Sequence, residues 1–377
     1  MAIIDFNSRF WRRYRHNRTA WFATWMFLVI MLIGACANIL ANDRPLLMSY
    51  KGKLYAPVFV DYLPYEFGKE TSDVGFVVDY FAFEKEINEN GWAIFPPIKQ
   101  RPNDPNLNFE SLPAPPGSTT VVSQSDTFPG LAVTHRLGTD TAGRDLVTRL
   151  IYGLRTSLGM SIAITAISLV LGVILGAIMG YAGGVFDILF GRLLETLGYF
   201  PVIFMIIILV AFLESPSISA VVVIFAVLGL SPFAFYTRGQ VLQARKLTYV
   251  EAAVALGQQQ RTIMFRHILP NALSPILVLI PFTITANISF LATIDFLGFG
   301  VQPPTASLGA ILRSGFEDVG NRSWLVLYSS IVLIAILLLV NFIGDGVRDG
   351  MDPHATLSRK EFRAWLRELK TNKASNA

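Results

Sequence analysis

The chain has 377 residues, 53% of them hydrophobic and only 15% charged, with a mean hydropathy of +0.49. Soluble domains carry about 25% charged residues, so this chain has too little charge to cover a water-facing surface of its size. The net charge of +4 is modest, the single cysteine excludes an internal disulfide, and four histidines scattered far apart offer no metal-ligand spacing.

A helix must supply about 20 mostly apolar residues to cross a hydrocarbon core of about 30 Å. Six stretches do so: 20–40, 157–181, 190–213, 218–239, 272–297 and 324–345. The predicted fold is therefore all-α, a polytopic membrane protein with six transmembrane helices. Residues 1–19 are basic, with Arg9, Arg12, Arg13, Arg15 and Arg18 before the first span. That span (20–40) is too long for the apolar region of a signal peptide and is expected to stay uncleaved. Cys36 lies within it and is expected to serve as a small buried hydrophobe.

Residues 41–136 form a long insertion between spans one and two. From Asn42 to Arg155 there are eleven Lys/Arg and fourteen Asp/Glu, a mildly acidic balance. Ser49–Pro57 suggests a small hairpin turning at Gly52. Val74–Glu86 is compatible with a strand or a short helix. Pro96–Pro129 contains eight prolines and is predicted to be extended and irregular. The insertion is expected to cap the outer mouth or to dock an external partner, without an independent core. Leu137–Leu158 carries Leu146, Leu150, Ile151, Leu154 and Leu158 at helical spacing, so an interfacial amphipathic helix capped by Asp140 should lead into span two.

Span two bears a stripe of Ser157, Ser161, Thr165, Ser168, Gly172, Gly176 and Gly180 on one helical face. Small residues let membrane helices approach closely; a lining for a transport pathway is the alternative. Thr285, Ser289 and Thr293 make a similar stripe on span five, where Pro275 and Pro281 should loosen the helix near its start. The ionisable residues Glu195, Glu214 and Asp295 avoid mid-span positions. Structural pairing suits them better than proton relay.

The polar insert 241–271 interrupts this apolar pattern. Thr248 and Glu251 have capping-box spacing. Ala252, Ala253, Ala255 and Leu256 favour helix, and Gly257 suits a left-handed stop. A second helix over about Gln259–Ile268 should end before Pro270. Basic residues cluster in three places: the N-terminus, the insert (Arg245, Lys246, Arg261, Arg266) and the 351–377 tail. Six spans put all three on one side, which the positive-inside rule makes the cytoplasm.

Glu251-Ala252-Ala253, then Gly257, then Leu269-Pro270, resembles the EAA loop of ABC-importer permeases, and Arg266–Asn271 (RHILPN) resembles its dipeptide and oligopeptide branch. Two departures are His267, where isoleucine is usual, and Gln258-Gln259-Gln260 after the glycine. Leu137–Leu158, Asp295–Leu312 and Asn341–Pro353 are similar to further landmarks of the branch. The long insertion is similar to that of Yej-type permeases for microcin C and peptides. The likeness covers nearly the whole chain, and the motifs are specific in combination.

The resemblance implies the type I importer permease fold. It divides the chain into a basic segment (1–19), span one (20–40), a periplasmic insertion (41–136), a permease core with its coupling loop (137–350, loop 241–271) and a cytoplasmic tail (351–377). It implies a non-catalytic subunit of the bacterial inner membrane with both termini cytoplasmic, importing peptides or peptide-like compounds. The implied partners are a second homologous permease, an ABC ATPase with two nucleotide-binding domains, and a periplasmic peptide-binding protein, with lipid around the spans and no nucleic acid. Thr248, Tyr249, Val250, Glu251, Ala252, Ala253, Ala255, Leu256 and Gly257 would couple to the ATPase. Ser161, Thr165, Ser168, Thr285, Ser289, Thr293 and Asp295 would pack helices or line the pathway. The chain has no G-x-x-x-x-G-K-[ST] run to cradle phosphates, so ATP and Mg would bind the partner ATPase, and no cofactor is expected here. A self-sufficient secondary transporter or channel, and a receptor with mere anchoring spans, are the rival expectations.

Overall fold

The structure is a computed structural model that describes residues 10–67, 78, 80–105, 112–122, 131–213, 217–317, 319–320 and 323–351. Glu214 and the tail after Met351 lie outside the described residues, as does most of Val74–Asp79.

A short helix α1 (residues 10–16) meets α2 (Arg18–Ala35) at Asn17, whose side-chain oxygen accepts the Ala20 N–H at 3.2 Å. That cap turns the chain into span one, and α3 (Ala37–Leu40) completes it. Five helical stretches among the described residues are long and apolar enough to cross a membrane, or six if one bent pair counts as a span. The bent pair is α6 (Gly184–Tyr199) and α7 (Val202–Ala211), which meet at 88°. The straight third span expected at 190–213 is thus replaced by a broken one. Pro201 supplies no N–H and holds Phe200 extended, at φ −82° and ψ 136°, so the helix cannot run through. Span four combines α8 (Ile218–Leu228) with α9 (Ser231–Ala244), and span six, α15 (Trp324–Met351), follows the short α14 (Leu308–Phe316). Span five is broken as its prolines predict: α12 (Leu269–Ile276) contains Pro275, and α13 (Leu279–Leu297) carries Pro281 in its first turn.

At the centre is α5 (Leu146–Ala182), whose 37 residues reach about 55 Å, well beyond a bilayer core. It packs on α2, α8, α9 and α13. At Gly180 an added Cβ would sit 2.8 Å from the Arg238 carbonyl oxygen, and at Gly176 it would overlap the Ala234 carbonyl. Glycine at these positions lets the α5 and α9 backbones touch.

The expected amphipathic helix at 137–158 is corrected. The helix starts at Leu146, and Asp145 rather than Asp140 caps it, accepting the Thr148 N–H at 2.8 Å. Gly143, with φ +77°, makes a left-handed turn that no helix passes through. Asp140 instead closes that turn by accepting the Ala142 and Arg144 N–H groups, both at 2.9 Å.

The insertion is more ordered than its prolines suggest. Strands β1 (Leu47–Tyr50), β2 (Lys53–Tyr55) and β3 (Gly91–Ile94) form an antiparallel sheet in the order β2-β1-β3. The predicted hairpin is present, with Lys51 and Gly52 both at positive φ, as a two-residue turn of this type requires. Within Val74–Glu86, Tyr80–Glu86 is helical: α4 (Tyr80–Asn90) covers the sheet. This unit has its own core of Met48, Tyr50, Phe67, Tyr80, Phe83 and Ile87. Ring centroids lie 5.0 Å apart for Tyr50–Phe83 and 5.4 Å apart for Phe67–Phe83. Each aromatic ring buries about 150–250 Å², so a few of them make up for the small size of the unit. Burial pushes Tyr80 up to about 12 and raises Asp43, against which the Arg101 guanidinium works. A second hairpin, β4 (Ser118–Val122) with β5 (Leu131–His135), corrects the irregular expectation for 96–129. Its run STTVV is proline-free and rich in β-branched residues.

Buried charged and polar groups tie this cap to α5. Arg149 pairs with Asp140 at 3.1 Å and donates to the Pro102 carbonyl at 3.0 Å. The buried His135 Nδ1 lies 3.0 Å from the Asp145 carboxylate.

Candidate coupling site

The insert begins where α9 ends. Arg245 caps α9, and its guanidinium donates to the Gly180 and Tyr181 carbonyls at 3.2 and 2.9 Å, which fastens the insert to the end of α5. Helix α10 (Thr248–Ala255) follows. The capping box does not form: Leu247 is the N-cap and Thr248 is already helical. A capping box needs its Thr in extended backbone ahead of the helix, and Leu247 (φ −84°, ψ 139°) occupies that place. Glu251 then acts on the first turn by its charge at the positive helix end. The far end behaves as predicted. Gly257 takes φ +72°, the Gly257 N–H bonds the Val254 carbonyl, and the Gln258 N–H bonds the Ala253 carbonyl at 3.1 Å.

The second helix does not stop before Pro270. It runs from α11 (Gln260–Thr262) through a π-helical turn (Ile263–Ile268) into α12. The Leu269 N–H reaches back to the Met264 carbonyl, five residues away. Proline in the first turn of the next segment needs no N–H partner, so the widened turn lets the chain pass.

Helix α10 divides into two faces. Val250 and Ala253 are buried among Val241, Ala244, Ile263, Met264 and Ile268. Thr248, Tyr249, Glu251, Ala252, Ala255, Leu256 and Gly257 are exposed, Leu256 to 79%. Tyr249 accepts from the Asn271 amide at 3.1 Å, and His267 Nε2 lies 3.1 Å from the Gln258 amide oxygen. Hence the two departures from the usual motif contact each other and pin the turn after α10 to the π-helical turn. Sequence reasoning recorded both without pairing them; their joint departure was the available signal. It also missed Arg245 as an anchor and Tyr249–Asn271 as a brace.

The predicted packing or pathway residues separate into two groups. Ser161 donates to the Ile284 carbonyl at 3.0 Å and Ser168 to the Ala226 carbonyl at 2.9 Å. Thr165 accepts from the Asn287 amide at 2.9 Å. All three are buried between α5 and its neighbours. Thr285, Ser289 and Thr293 donate to carbonyls four residues back on α13, and Ser289 and Thr293 remain exposed. Asp295 is buried and accepts the Val301 N–H at 2.8 Å, folding the loop after α13 back on the helix.

These features define a membrane subunit whose broken, glycine-packed spans carry a braced polar elbow at one end. Residues 172–356 match the family model described as a binding-protein-dependent transport system inner membrane component, and residues 6–66 match the N-terminal TM domain of oligopeptide transport permease C. The chain belongs to the ABC-importer inner-membrane permeases. Among its relatives are the peptidoglycan transport system permease protein YejE of Agrobacterium fabrum, 36% identical over 94% of each chain, and the inner membrane ABC transporter permease protein YejE of Escherichia coli, 33% identical over 92% of this chain and 97% of the other. The oligopeptide transport system permease protein OppC of Haemophilus influenzae is 39% identical over 58% of this chain and 70% of its own.

Proposed function

We propose that this permease imports peptides or peptide-like compounds, such as those of the microcin C type, and that α10 is where an ATPase drives it. The names of the relatives, which refer to oligopeptides and peptidoglycan, support the substrate class. The observation that carries the coupling role is the two-faced helix: one side is packed into the chain, while Glu251, Ala252, Ala255 and Leu256 are left open on a rigid support. Small side chains at 252 and 255 give a slender ridge that fits a groove in another protein. In this reading the elbow and both termini are cytoplasmic, and the cap faces a periplasmic peptide-binding protein. A second homologous permease completes the pathway, against which the open α13 stripe of Ser289 and Thr293 would lie. ATP and Mg bind the ATPase, and this chain performs no catalysis. Closure of the ATPase moves α10, and α10 moves the spans through Arg245 and the Val250–Ala253 contact. The nucleotide drives the change by its different affinity for the two states.

Glu251→Arg tests the proposal, because position 251 is exposed and the spans should still insert. The co-purified ATPase should fall by about tenfold or more, the scale of one interface hot spot, and uptake should be lost. Unchanged uptake with full ATPase retention would refute the coupling role.

A further inference from the structure

The bend between α1 and α2, at the opposite end of span one from the cap, contains a cleft of about 470 Å³. Its walls include Trp11, Tyr14, Arg15, Trp21, Trp25 and Leu28, and Val347 of α15 contributes from the side. The Arg15 guanidinium lies 5.9 Å from the Trp11 ring centroid and 5.4 Å from that of Trp21. Arg12 and Arg18 are exposed within about one turn of it. Among the described residues no carboxylate pairs with Arg12, Arg15 or Arg18. The nearby Asp349 is engaged by the Asn17 amide at 3.1 Å.

The lining of the cleft is thus apolar, and the exposed Arg12, Arg15 and Arg18 flank it. Trp25 and Leu28 continue into a face of α2 on which Phe22 and Leu32 are 64% and 62% exposed, a surface that in a membrane protein meets hydrocarbon. Indole rings favour the boundary between headgroups and acyl chains. A guanidinium stacked on aromatic faces keeps its N–H edge free, and that edge matches phosphate oxygens. We propose that this bend binds one anionic phospholipid, with the phosphate on Arg15 and an acyl chain along Trp21, Trp25 and Leu28. The three arginines favour a headgroup with net negative charge over a zwitterionic one, whose ammonium cancels the attraction. The site depends on membrane insertion alone and stands apart from the coupling role of α10.

The test uses the intact, delipidated complex in detergent, titrated with palmitoyl-oleoyl phosphatidylglycerol or the matching phosphatidylcholine and read by native mass spectrometry. The wild type should retain one phosphatidylglycerol in preference to phosphatidylcholine. Arg15→Gln should reduce that preference about fivefold, the scale of one interfacial arginine. Arg192→Gln, an exposed arginine on α6, should leave it unchanged. A photoreactive phenylalanine analogue replacing Trp25 should crosslink to lipid. Equal retention of the two lipids, equal effects of the two arginine variants, or a crosslink from position 25 to another protein chain would each overturn the proposal.

Discussion

The cap and the coupling elbow solve opposite problems with different forces. The cap is held to α5 by charged and polar groups withdrawn from water, with Asp140 and Arg149 only 1% and 3% exposed and the His135 ring beside the Asp145 carboxylate. The elbow is held by apolar burial of Val250 and Ala253 on one face, by the Arg245 guanidinium on two α5 carbonyls and by side-chain hydrogen bonds at its turns, while its other face is open. A buried ion pair is strongly resisted when broken, because one charge is left unpaired in a poor solvent. Apolar contacts are non-directional and allow an element to shift while it stays packed. The difference suits a fixed cap and the lever proposed for α10.

The comparison breaks most directly at Arg149. Arg149→Met leaves Asp140 paired with Arg144 but leaves the Pro102 carbonyl without its donor, and should cost about 1.5–3 kcal/mol, the scale of hydrogen bonds to a charged group, seen as a fall in the thermal unfolding midpoint of the purified complex. A small effect would mean that water reaches the pair. Ala253→Leu should cost about 1–3 kcal/mol by overpacking the inner face of α10. Ala252→Leu, one residue away on the open face, should leave stability nearly unchanged and weaken ATPase retention; equal stability losses for the two would erase the distinction between the faces. His267→Ala removes the bond to Gln258 and should cost about 0.5–1.5 kcal/mol, read as faster proteolysis of the 256–268 turn. The smallest effect at neutral pH concerns Tyr80. Its folded pKa is raised from 10 to about 12 by burial, so its contribution is complete below pH 10 and is lost as pH rises through 12. Ultraviolet titration of Tyr80→Phe against wild type should remove one late-ionising phenol and flatten the alkaline loss of cap stability.

Much of the site could be read in the residues. Gly257 stops α10 as its type predicts, and the alanines form helix. The motif did not reveal which alanine faces inward: Ala252 and Ala253 are chemically equal, and only the position of Ile263 and Ile268 against α10 buries one of them. The capping box failed because Thr248 and Glu251 have the right spacing whether or not Thr248 starts the helix, and backbone torsion at Leu247 decided that. The cap core escaped notice for a related reason. Its residues lie between positions 48 and 87, and neither strand nor helix alone has enough apolar surface to announce a core.

Composition and apolar periodicity by themselves determined a membrane protein, the approximate places of its spans, and the polar elbow between the fourth and fifth. These are local properties, since each span must satisfy its own backbone and present its own apolar surface to lipid. The pairing of Gln258 with His267 and the inward turn of Ala253 were decided by tertiary structure. Each is a choice between nearly equal local conformations, settled by contacts between residues distant in the chain or packed from neighbouring helices, which local propensity does not encode.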